Sequence, residues 1–341
     1  MAEIDGRKKT ILHAIIVEYV LTAEPVGSES LVAKYPLGVK SATVRNEMAE
    51  LLDLGLIEQP HTSAGRIPSD LGYRYYVDKL VISKEIELSI QDRLKSATGE
   101  GEALQTVLRD ATRMLSRLTH LLGVAATIRE PNLTIKTAIL SALGPNQVLL
   151  VIALSNGQIE NRMIEVPADL TLEQVGAANE FLTANLLGVG LRTAAQMKPP
   201  VAVNPAVDRL VNVSWTQLKA IAKLYSRGSL ITEGEEYLVT QPEFRRDLDT
   251  YTHLIQELND SEALYQSVAK GEANQVVTIG RENRRDELKQ FSIVRQSFYV
   301  GETETGVIAV VGPTRMRYDD SIPLVNFTAQ TLSESLTKYF G

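Results

Sequence analysis

The sequence predicts a multidomain α+β protein, and three observations support this fold class. The chain has 341 residues, which suits two or three domains of roughly 100–200 residues each. Its first part shows helical periodicity punctuated by glycine and proline, whereas short β-rich runs dominate the middle and the C-terminal part. Hydrophobic residues make up 44% of the chain and charged residues 23%, values typical of globular proteins with sizeable cores.

The first predicted helix lies within residues 9–21, where apolar side chains recur at helical spacing. These side chains are Ile11, Leu12, Ile15, Ile16, Tyr19 and Val20. The helix is expected to end within residues 22–27, because Pro25 has no backbone N–H to donate. Ser28 is suited to cap a short second helix over residues 29–35.

A third helix is predicted over residues 42–54, with Ser41 as its N-cap. Its inner face carries Val44, Met48, Leu51 and Leu52. Gly55 is expected to end this helix, since glycine adopts the left-handed conformation at little cost. Residues 56–68 then predict a hairpin of two short strands joined by a polar loop. This order of helix, tight turn, helix and hairpin predicts a winged helix-turn-helix in residues 1–80.

Residues 81–105 are predicted to form a helical linker with a flexible, glycine-containing centre. The β-rich runs that follow lie at 123–129, 135–143, 147–154, 158–166, 275–280, 291–300 and 306–312. Asn156-Gly157 predicts a type I′ hairpin turn, which needs positive φ at both central positions. Predicted helices at 172–187 and 323–339 complete one α+β domain with a mainly antiparallel sheet.

We expect this α+β domain to be split along the sequence. Residues 190–271 form a mainly helical block that begins near a Pro-Pro pair and ends at a polar, glycine-containing boundary. The two halves of the domain are then residues 106–189 and residues 272–341. The helical block is therefore predicted to be an insertion.

The charge balance argues against nucleic-acid binding by bulk electrostatics. The chain has a net charge of −7 and a pI near 5.4, and residues 1–80 contain 9 Lys and Arg against 11 Asp and Glu, a net of −2. A DNA-binding surface must therefore be a local patch. The absence of cysteine excludes disulfides, thiolate nucleophiles and cysteine-bound zinc. Because the N-terminus is polar and no apolar run is long, we expect a cytoplasmic protein without a membrane span.

The sequence does not predict an enzyme. The four histidines, at positions 13, 61, 120 and 253, lack metal-ligand spacing such as H-E-x-x-H. Neither a G-x-S-x-G elbow nor a phosphate-binding P-loop occurs in the sequence. Gly188-Val189-Gly190 begins like a dinucleotide fingerprint, but it lacks the third glycine and follows a helix rather than a strand. We therefore expect no catalytic residue, no cofactor and no metal.

The N-terminal half of the third helix carries four residues expected to contact DNA: Ser41, Thr43, Arg45 and Asn46. The first turns of a recognition helix are the part that reaches base edges. Arg45 suits guanine O6 and N7, and Asn46 suits adenine N6 and N7, each in a bidentate contact. The alternative is that both side chains merely solvate a surface helix.

The hairpin loop is the second expected contact with DNA. His61, Thr62 and Ser63 belong to a loop of small polar residues that allows close approach to the sugar-phosphate backbone. Arg66 suits a phosphate or the minor groove. The alternative is an ordinary hairpin tip.

Further candidate contacts lie outside the third helix and the loop. They are Ser28, Lys40 and Arg74, with Lys8 and Lys9 as additional candidate phosphate contacts. Each of these basic side chains, taken singly, is also consistent with a solvated surface charge. The neighbouring Tyr73, Tyr75 and Tyr76 favour packing between the hairpin and the linker over stacking on bases.

Several stretches of the sequence are similar to the HrcA family of heat-inducible transcription repressors. They are Val26-Gly27-Ser28, Ser41-Ala42-Thr43-Val44-Arg45-Asn46-Glu47-Met48, His61-Thr62-Ser63-Ala64-Gly65-Arg66-Ile67-Pro68, Gly72-Tyr73-Arg74-Tyr75-Tyr76-Val77-Asp78, Ile279-Gly280-Arg281-Glu282-Asn283 and Gly312-Pro313-Thr314-Arg315-Met316-Arg317-Tyr318. The resemblance implies a homodimer that binds double-stranded DNA at an inverted-repeat operator, called CIRCE, ahead of chaperonin operons. It also implies inactivation by heat and a chaperonin that helps to keep the repressor active.

The same resemblance implies a winged helix, a GAF-like α+β domain and an inserted, mainly helical dimerisation domain. The predicted order of strands, helix, insertion and strands agrees with this arrangement. The alternative function is a small-molecule-sensing winged-helix regulator. In that case Arg281, Glu282, Arg315 and Arg317 line a pocket of the GAF-like domain, although we favour structural ion pairs for these four residues.

Overall fold

The computed structural model contains both helices and strands among the residues that it describes, which confirms the mixed α+β class. It describes residues 3–61, 64–82, 84–98, 104–127, 133–144, 146–166, 170–202, 204–227, 229–243, 261–269 and 276–340. Within these ranges the strands form three separate antiparallel sheets. Two candidate loop residues, Thr62 and Ser63, and the glycines of the predicted flexible linker lie outside the described residues.

Residues 3–80 form the N-terminal unit. Its described elements are α1 (Gly6–Thr22), α2 (Ser28–Lys34), α3 (Ser41–Asp53), β1 (Ile57–Glu58), β2 (Ile67–Pro68) and α4 (Asp70–Lys79). α1 begins where the Asp5 side chain accepts the backbone N–H of Lys8 at 2.9 Å. The predicted apolar stripe of α1 is largely buried, and α1 packs against α3, β2 and α4. The predicted order of three helices and a hairpin is therefore confirmed for this unit.

The predicted caps of α2 and α3 are wrong by one residue. Ser28 and Ser41 are the first residues of their helices, and Gly27 and Lys40 precede them without a side-chain cap. The Oγ atoms of the two serines lie 3.1 Å apart and hydrogen-bond to each other instead. The predicted end of α3 is confirmed, because Gly55 adopts a φ of 71°.

In the described part of the chain, a five-stranded antiparallel sheet with strand order β7-β3-β10-β9-β8 forms the C-terminal unit. Its strands are β3 (Leu122–Thr127), β7 (Leu230–Glu233), β8 (Val277–Ile279), β9 (Phe291–Val300) and β10 (Thr303–Pro313). Its helices are α5 (Leu88–Ala97), α6 (Leu104–Thr119), α10 (Glu235–Thr240), α11 (Ser261–Ala269) and α12 (Tyr318–Phe340), with 3-10 turns at Gly280–Glu282 and Asp286–Leu288. Buried side chains of α5, α6 and α12 continue into the core of the N-terminal unit as one cluster, so the two units share a core.

A separate unit, here called the β4–α9 unit, lies between β3 and β7 in the sequence. Its elements are β4 (Ile135–Gly144), β5 (Gln147–Leu154), β6 (Ile159–Glu165), α7 (Leu172–Leu186), α8 (Leu191–Gln196) and α9 (Pro205–Arg227). Among the described strands, β4, β5 and β6 pair only with one another. Their inner side chains and those of the three helices form their own core around Trp215, whose Nε1 donates to the Ala194 carbonyl at 2.9 Å.

The expectation of one shared sheet is wrong. Residues 106–189 do not form one half of a domain, because the chain leaves the five-stranded sheet after β3 rather than at residue 190. Conversely, β7 and α11 fall within the predicted block 190–271 but belong to the C-terminal unit. Alternating apolar residues indicate which face of a strand is buried, but they do not identify its neighbour. Strand periodicity therefore could not separate the two sheets.

The structure also bears on the predictions for the β5–β6 turn and for the linker over residues 81–105. The β5–β6 hairpin is confirmed, but positive φ occurs at Gly157 and not at Asn156, so the turn is not of type I′. The predicted linker contains α5, which packs against α6 and α12 rather than standing apart from them. No helix among the described residues combines the length and the apolar composition needed to cross a membrane.

Candidate nucleic-acid interface

α3 has a buried inner face and a polar outer face. The buried side chains are Val44, Met48 and Leu51. They place Arg45 and Asn46 on the opposite side of the helix, where both are exposed. Ser41 and Thr43 are half-buried on the first turn. The predicted group on the N-terminal half of α3 therefore lies together at the surface, with its two longest polar side chains directed outward.

The beginning of α3 is fixed by a contact with α2. Ser28 is buried, and its hydroxyl meets the Ser41 hydroxyl at 3.1 Å. The Ser28 side chain therefore joins two helices, and its contact with DNA stays a prediction. Lys40 stands exposed in an extended conformation immediately before α3. It lies beside the free backbone N–H groups of the first turn, a position that favours anions.

The hairpin loop is held against the start of α2 by backbone hydrogen bonds. Val26 and Arg66 exchange two N–H to carbonyl bonds, each 2.9 Å long. An ideal Cβ on Gly65 would lie 2.6 Å from the Val26 carbonyl, so this close approach requires glycine. His61 is exposed at the loop, and Arg66 is half-buried with its NH1 3.4 Å from the Ala64 carbonyl. Gly65 and Arg66, at the C-terminal side of the loop, are therefore held in a fixed position relative to α2.

A group of ion pairs braces α3 from the side of α1. The Lys8 Nζ lies 2.9 Å from Asp5, 3.1 Å from Glu47 and 2.9 Å from Glu50, and Arg7 approaches Glu47 at 3.4 Å. The Glu50 carboxylate, followed by those of Asp5 and Glu47, raises the pKa of Lys8. Lys8 is therefore a brace for α3 and not the predicted free phosphate contact. No local sequence pattern indicates this role, because Glu47 and Glu50 lie about 40 residues from Lys8 along the chain.

Arg74 is also placed differently from the prediction. Its Nε and NH2 atoms lie 2.8 and 2.5 Å from the Glu282 carboxylate, NH1 lies 3.1 Å from Asp78, and NH2 also donates to the Val277 carbonyl at 2.6 Å. The Glu282 carboxylate raises the pKa of Arg74. The predicted phosphate contact is therefore wrong in this arrangement, since the guanidinium joins the N-terminal unit to the C-terminal unit.

The tyrosines that follow the hairpin are packing residues, as predicted. Tyr73, Tyr75 and Tyr76 are all buried. The Tyr73 ring lies 5.9 Å from that of Tyr318 in α12, and the Tyr76 ring lies 5.7 Å from that of His13 in α1. Burial raises the pKa of Tyr76 to about 12. Their ring partners lie on α1 and α12, and the same core cluster also contains Leu56 and Ile57 of the hairpin region and Leu94 of α5.

Three of the four residues considered for a ligand pocket form structural ion pairs, and the fourth, Arg281, is exposed. Glu282 pairs with Arg74, and Arg317 pairs with Asp320 at 2.7 Å. Arg315 pairs with Glu243 and donates to the Gln241 side chain at 3.0 Å. These pairs agree with the structural interpretation that we favoured. The described residues contain no group of three or more His, Asp or Glu that could hold a metal ion.

Both the sequence and the fold resemble those of known proteins. Residues 105–322 match the family model described as the HrcA protein C terminal domain. The chain is 32% identical to the heat-inducible transcription repressor HrcA of Desulfitobacterium hafniense over 98% of both chains. It is 35% identical to the protein of the same name from Symbiobacterium thermophilum, over 97% of this chain and 98% of that one. A crystal structure of a hypothetical protein at 2.2 Å resolution has the same fold, with a TM-score of 0.72, 24% identity and 98% of both chains covered.

Proposed function

Because the chain belongs to the HrcA family of heat-inducible transcription repressors, we propose that it represses its target genes by occupying an inverted-repeat operator of the CIRCE type. The N-terminal unit acts as a winged helix-turn-helix in which α3 is the recognition helix and the β1–β2 hairpin is the wing. A repressor acts by occupancy, so the proposal includes no catalytic step and no cofactor. Its place of action is the cytoplasm, where the operator DNA lies.

The observation that carries this proposal is the exposure of Arg45 and Asn46 on the outer face of α3. An α-helix fits the major groove of B-DNA, and side chains of its first turns reach the base edges. Arg45 reads a guanine and Asn46 an adenine, while Thr43 and Ser41 contact the flanking backbone. Specificity thus resides in a few exposed side chains, although the chain as a whole is acidic.

Phosphate contacts position the recognition helix on the duplex. Lys40 and the first N–H groups of α3 lie next to the reading residues. His61 and Arg66 lie at the loop that Val26 holds against α2. The two groups of contacts therefore flank α3, and the wing contacts supply affinity without reading the sequence.

A binding titration at fixed salt tests the reading role. The wild-type chain should bind an inverted-repeat operator duplex more tightly than a scrambled duplex. Arg45→Ala should remove about 1–3 kcal/mol, or roughly 5- to 150-fold, from operator binding and much less from binding to the scrambled duplex. Arg93→Ala is the matched control, because it removes the same charge from an exposed position on α5. Equal losses on both duplexes for Arg45→Ala would contradict base reading by this residue.

An inverted repeat calls for two copies of the chain, and the β4–α9 unit offers a surface for pairing. The outer face of its sheet is apolar, with exposed Ile139, Ile159 and Met163. Cross-strand neighbours extend this face, since Leu149 pairs with Met163 and Val151 with Ile139. Monomeric proteins rarely expose a contiguous apolar patch of this kind. We assign the β4–α9 unit to the inserted dimerisation domain and the C-terminal unit to the GAF-like domain.

Sedimentation measures this pairing. Met163→Glu places a charge on the apolar face, on its edge strand β6, and should shift the chain from dimer to monomer at micromolar concentration. Val201→Glu is the control, because Val201 is 84% exposed on a loop away from the sheet. An unchanged dimer for Met163→Glu would refute this surface as the dimer interface.

We propose that heat acts on the simultaneous binding of one dimer to both half-sites. The two N-terminal units of a dimer bind the operator more tightly than one unit does, because the second contact is intramolecular. Heat that loosens the dimer or the fold removes this gain, and the chaperonin restores folded dimer. Operator affinity should therefore fall steeply on heating without chaperonin and less steeply with it. A dimer that kept its structure and its operator affinity well above the heat-shock range without chaperonin would refute this part.

A further inference from the structure

Three sequence stretches that the DNA-reading role does not use meet at one place in the fold. They are residues 72–78 in α4, residues 279–283 from the end of β8 onward, and residues 312–318 from the end of β10 to the start of α12. The first belongs to the N-terminal unit, and the other two belong to the C-terminal unit. A cleft of about 780 Å³ lies beside this junction and includes Arg74 and Glu282 in its walls. The stretches are thus close in space although more than 200 residues separate the first from the second.

The central contact of the junction is the pair between Arg74 and Glu282. Two guanidinium nitrogens face the two carboxylate oxygens at 2.8 and 2.5 Å, which is a bidentate arrangement. The same guanidinium donates to the Val277 carbonyl of β8 at 2.6 Å. The Arg74 side chain is only 15% exposed. The contact therefore fixes direction as well as distance, since a bidentate pair permits little rotation.

A second contact lies one turn earlier on α4. Asp70 accepts the backbone N–H of Arg281 at 2.9 Å. Gly280 has a φ of 52°, and an ideal Cβ on it would overlap the Asp70 carboxylate. α4 therefore meets the C-terminal unit at two successive turns, through Asp70 and through Arg74.

A third contact lies at the end of α1. Arg315 donates through NH1 to the Val20 carbonyl at 3.1 Å, in the last turn of α1. Gln241 and Glu243 hold the other side of the same guanidinium. The C-terminal unit thus contacts two different helices of the N-terminal unit, α4 and α1, and contacts on two helices together oppose rotation of that unit.

We propose that the Arg74–Glu282 pair is a positioning device, which sets the orientation of the N-terminal unit relative to the C-terminal unit. Through this orientation, the pair determines which spacing between two operator half-sites a dimer can bind. This inference rests on the proposed function. Half-sites repeat with the helical turn of about 10.5 base pairs, so each inserted base pair rotates one half-site by about 34° relative to the other. A dimer whose N-terminal units are rigidly oriented binds such a rotated operator poorly. A dimer whose N-terminal units are loosely attached binds it well.

The test compares Glu282→Gln with wild type on a series of duplexes. The series contains a single half-site and inverted repeats whose spacer is lengthened or shortened by one and two base pairs. Glu282→Gln keeps the shape of the side chain but removes its charge and one of its two acceptor oxygens. Glu287→Gln is the matched control, because Glu287 follows on the next 3-10 turn, is half-exposed and, among the described residues, has an ion pair with Arg285 alone, at 3.7 Å.

Glu282→Gln should lose roughly tenfold at the best spacer, a part of the 10²- to 10⁴-fold gain that linkage gives. It should discriminate less than wild type between the best spacer and the altered ones. Its half-site affinity should match wild type, and Glu287→Gln should match wild type throughout. A spacer profile as sharp as that of wild type would overturn the proposal, and so would a uniform loss that included the single half-site.

A measurement without DNA separates this proposal from the proposed function. The chain lacks cysteine, so Ala49→Cys on α3 and Glu302→Cys in the β9–β10 turn accept spin labels at chosen sites. Labelled chains diluted with unlabelled chains report the distance within one protomer. Wild type should give one narrow distance distribution and Glu282→Gln a broader one. Equal widths would overturn the positioning role even if operator binding were established, and a broadening without operator binding would refute the proposed function alone.

Discussion

Replacing Gly280 with alanine is the sharpest test of how the two units are joined. Gly280 has a φ of 52°, and the space for a Cβ is occupied by the Asp70 carboxylate. Two penalties follow from Gly280→Ala. The backbone must hold an L-residue in a left-handed conformation, and the Asp70 side chain must turn away and release the Arg281 N–H.

The two penalties have separate magnitudes. A left-handed conformation costs an alanine about 1–2 kcal/mol. A hydrogen bond to a charged acceptor contributes about 1.5–3 kcal/mol, and the lower half of that range applies because Asp70 is half-exposed. Alanine also restricts the unfolded chain, which offsets about 0.4–1 kcal/mol. Gly280→Ala should therefore lower the free energy of unfolding of the joined units by about 2–3 kcal/mol.

Urea unfolding measures this cost with an internal control. Trp215 is the one tryptophan of the chain and lies in the core of the β4–α9 unit. Gly280→Ala should shift the transition seen by far-ultraviolet circular dichroism and leave the tryptophan fluorescence transition in place. In an Asp70→Ala background the cost should shrink to the backbone part. A cost that is the same with and without Asp70 would refute the steric reasoning.

Three further changes have distinct expected results. Arg66→Ala should weaken binding to operator DNA and to scrambled DNA by similar factors. It should also reduce the slope of log affinity against log salt concentration by about one unit, measured by titration at several salt concentrations. An unchanged slope would exclude a phosphate contact by Arg66. Lys8→Met should lower both the melting temperature and the operator affinity, because α3 loses its brace from α1, and the difference from wild type should shrink in high salt. Trp215→Phe should destabilise the β4–α9 unit by about 2–3 kcal/mol, because it leaves the Ala194 carbonyl unpaired and a gap in the core; circular dichroism in urea checks this, and half-site affinity should not change.

Periodicity predicted the elements of the N-terminal unit well, because a helix that covers a core must repeat its apolar residues every three to four positions. It also placed Arg45 and Asn46 on the outer face of α3. The predicted caps failed for a different reason. A serine near a helix start has several available partners, and the Ser28 and Ser41 hydroxyls found each other across two helices.

The sequence alone could not predict how the strands divide into separate sheets, nor which distant residues form ion pairs. Strands β3 and β4 follow one another and are both apolar, yet they belong to different sheets. Likewise, Arg74 has the same charge and similar neighbours whether it faces DNA or Glu282. Its role depends on a partner 208 residues away, and no local pattern encodes such a partner.

The chain leaves and re-enters the five-stranded sheet at two residues, Thr127 and Ser229, that lie side by side. The Thr127 N–H donates to the Ser229 carbonyl at 3.0 Å, and the two side-chain hydroxyls lie 2.9 Å apart. β3 and β7 are antiparallel neighbours there, so a tight turn of a few residues in place of 128–228 would close them into a hairpin at little entropic cost. The β4–α9 unit is in this sense a detachable module. Excision should yield a monomeric regulator, and grafting another self-associating domain at the same two residues should yield repressors with a chosen subunit arrangement.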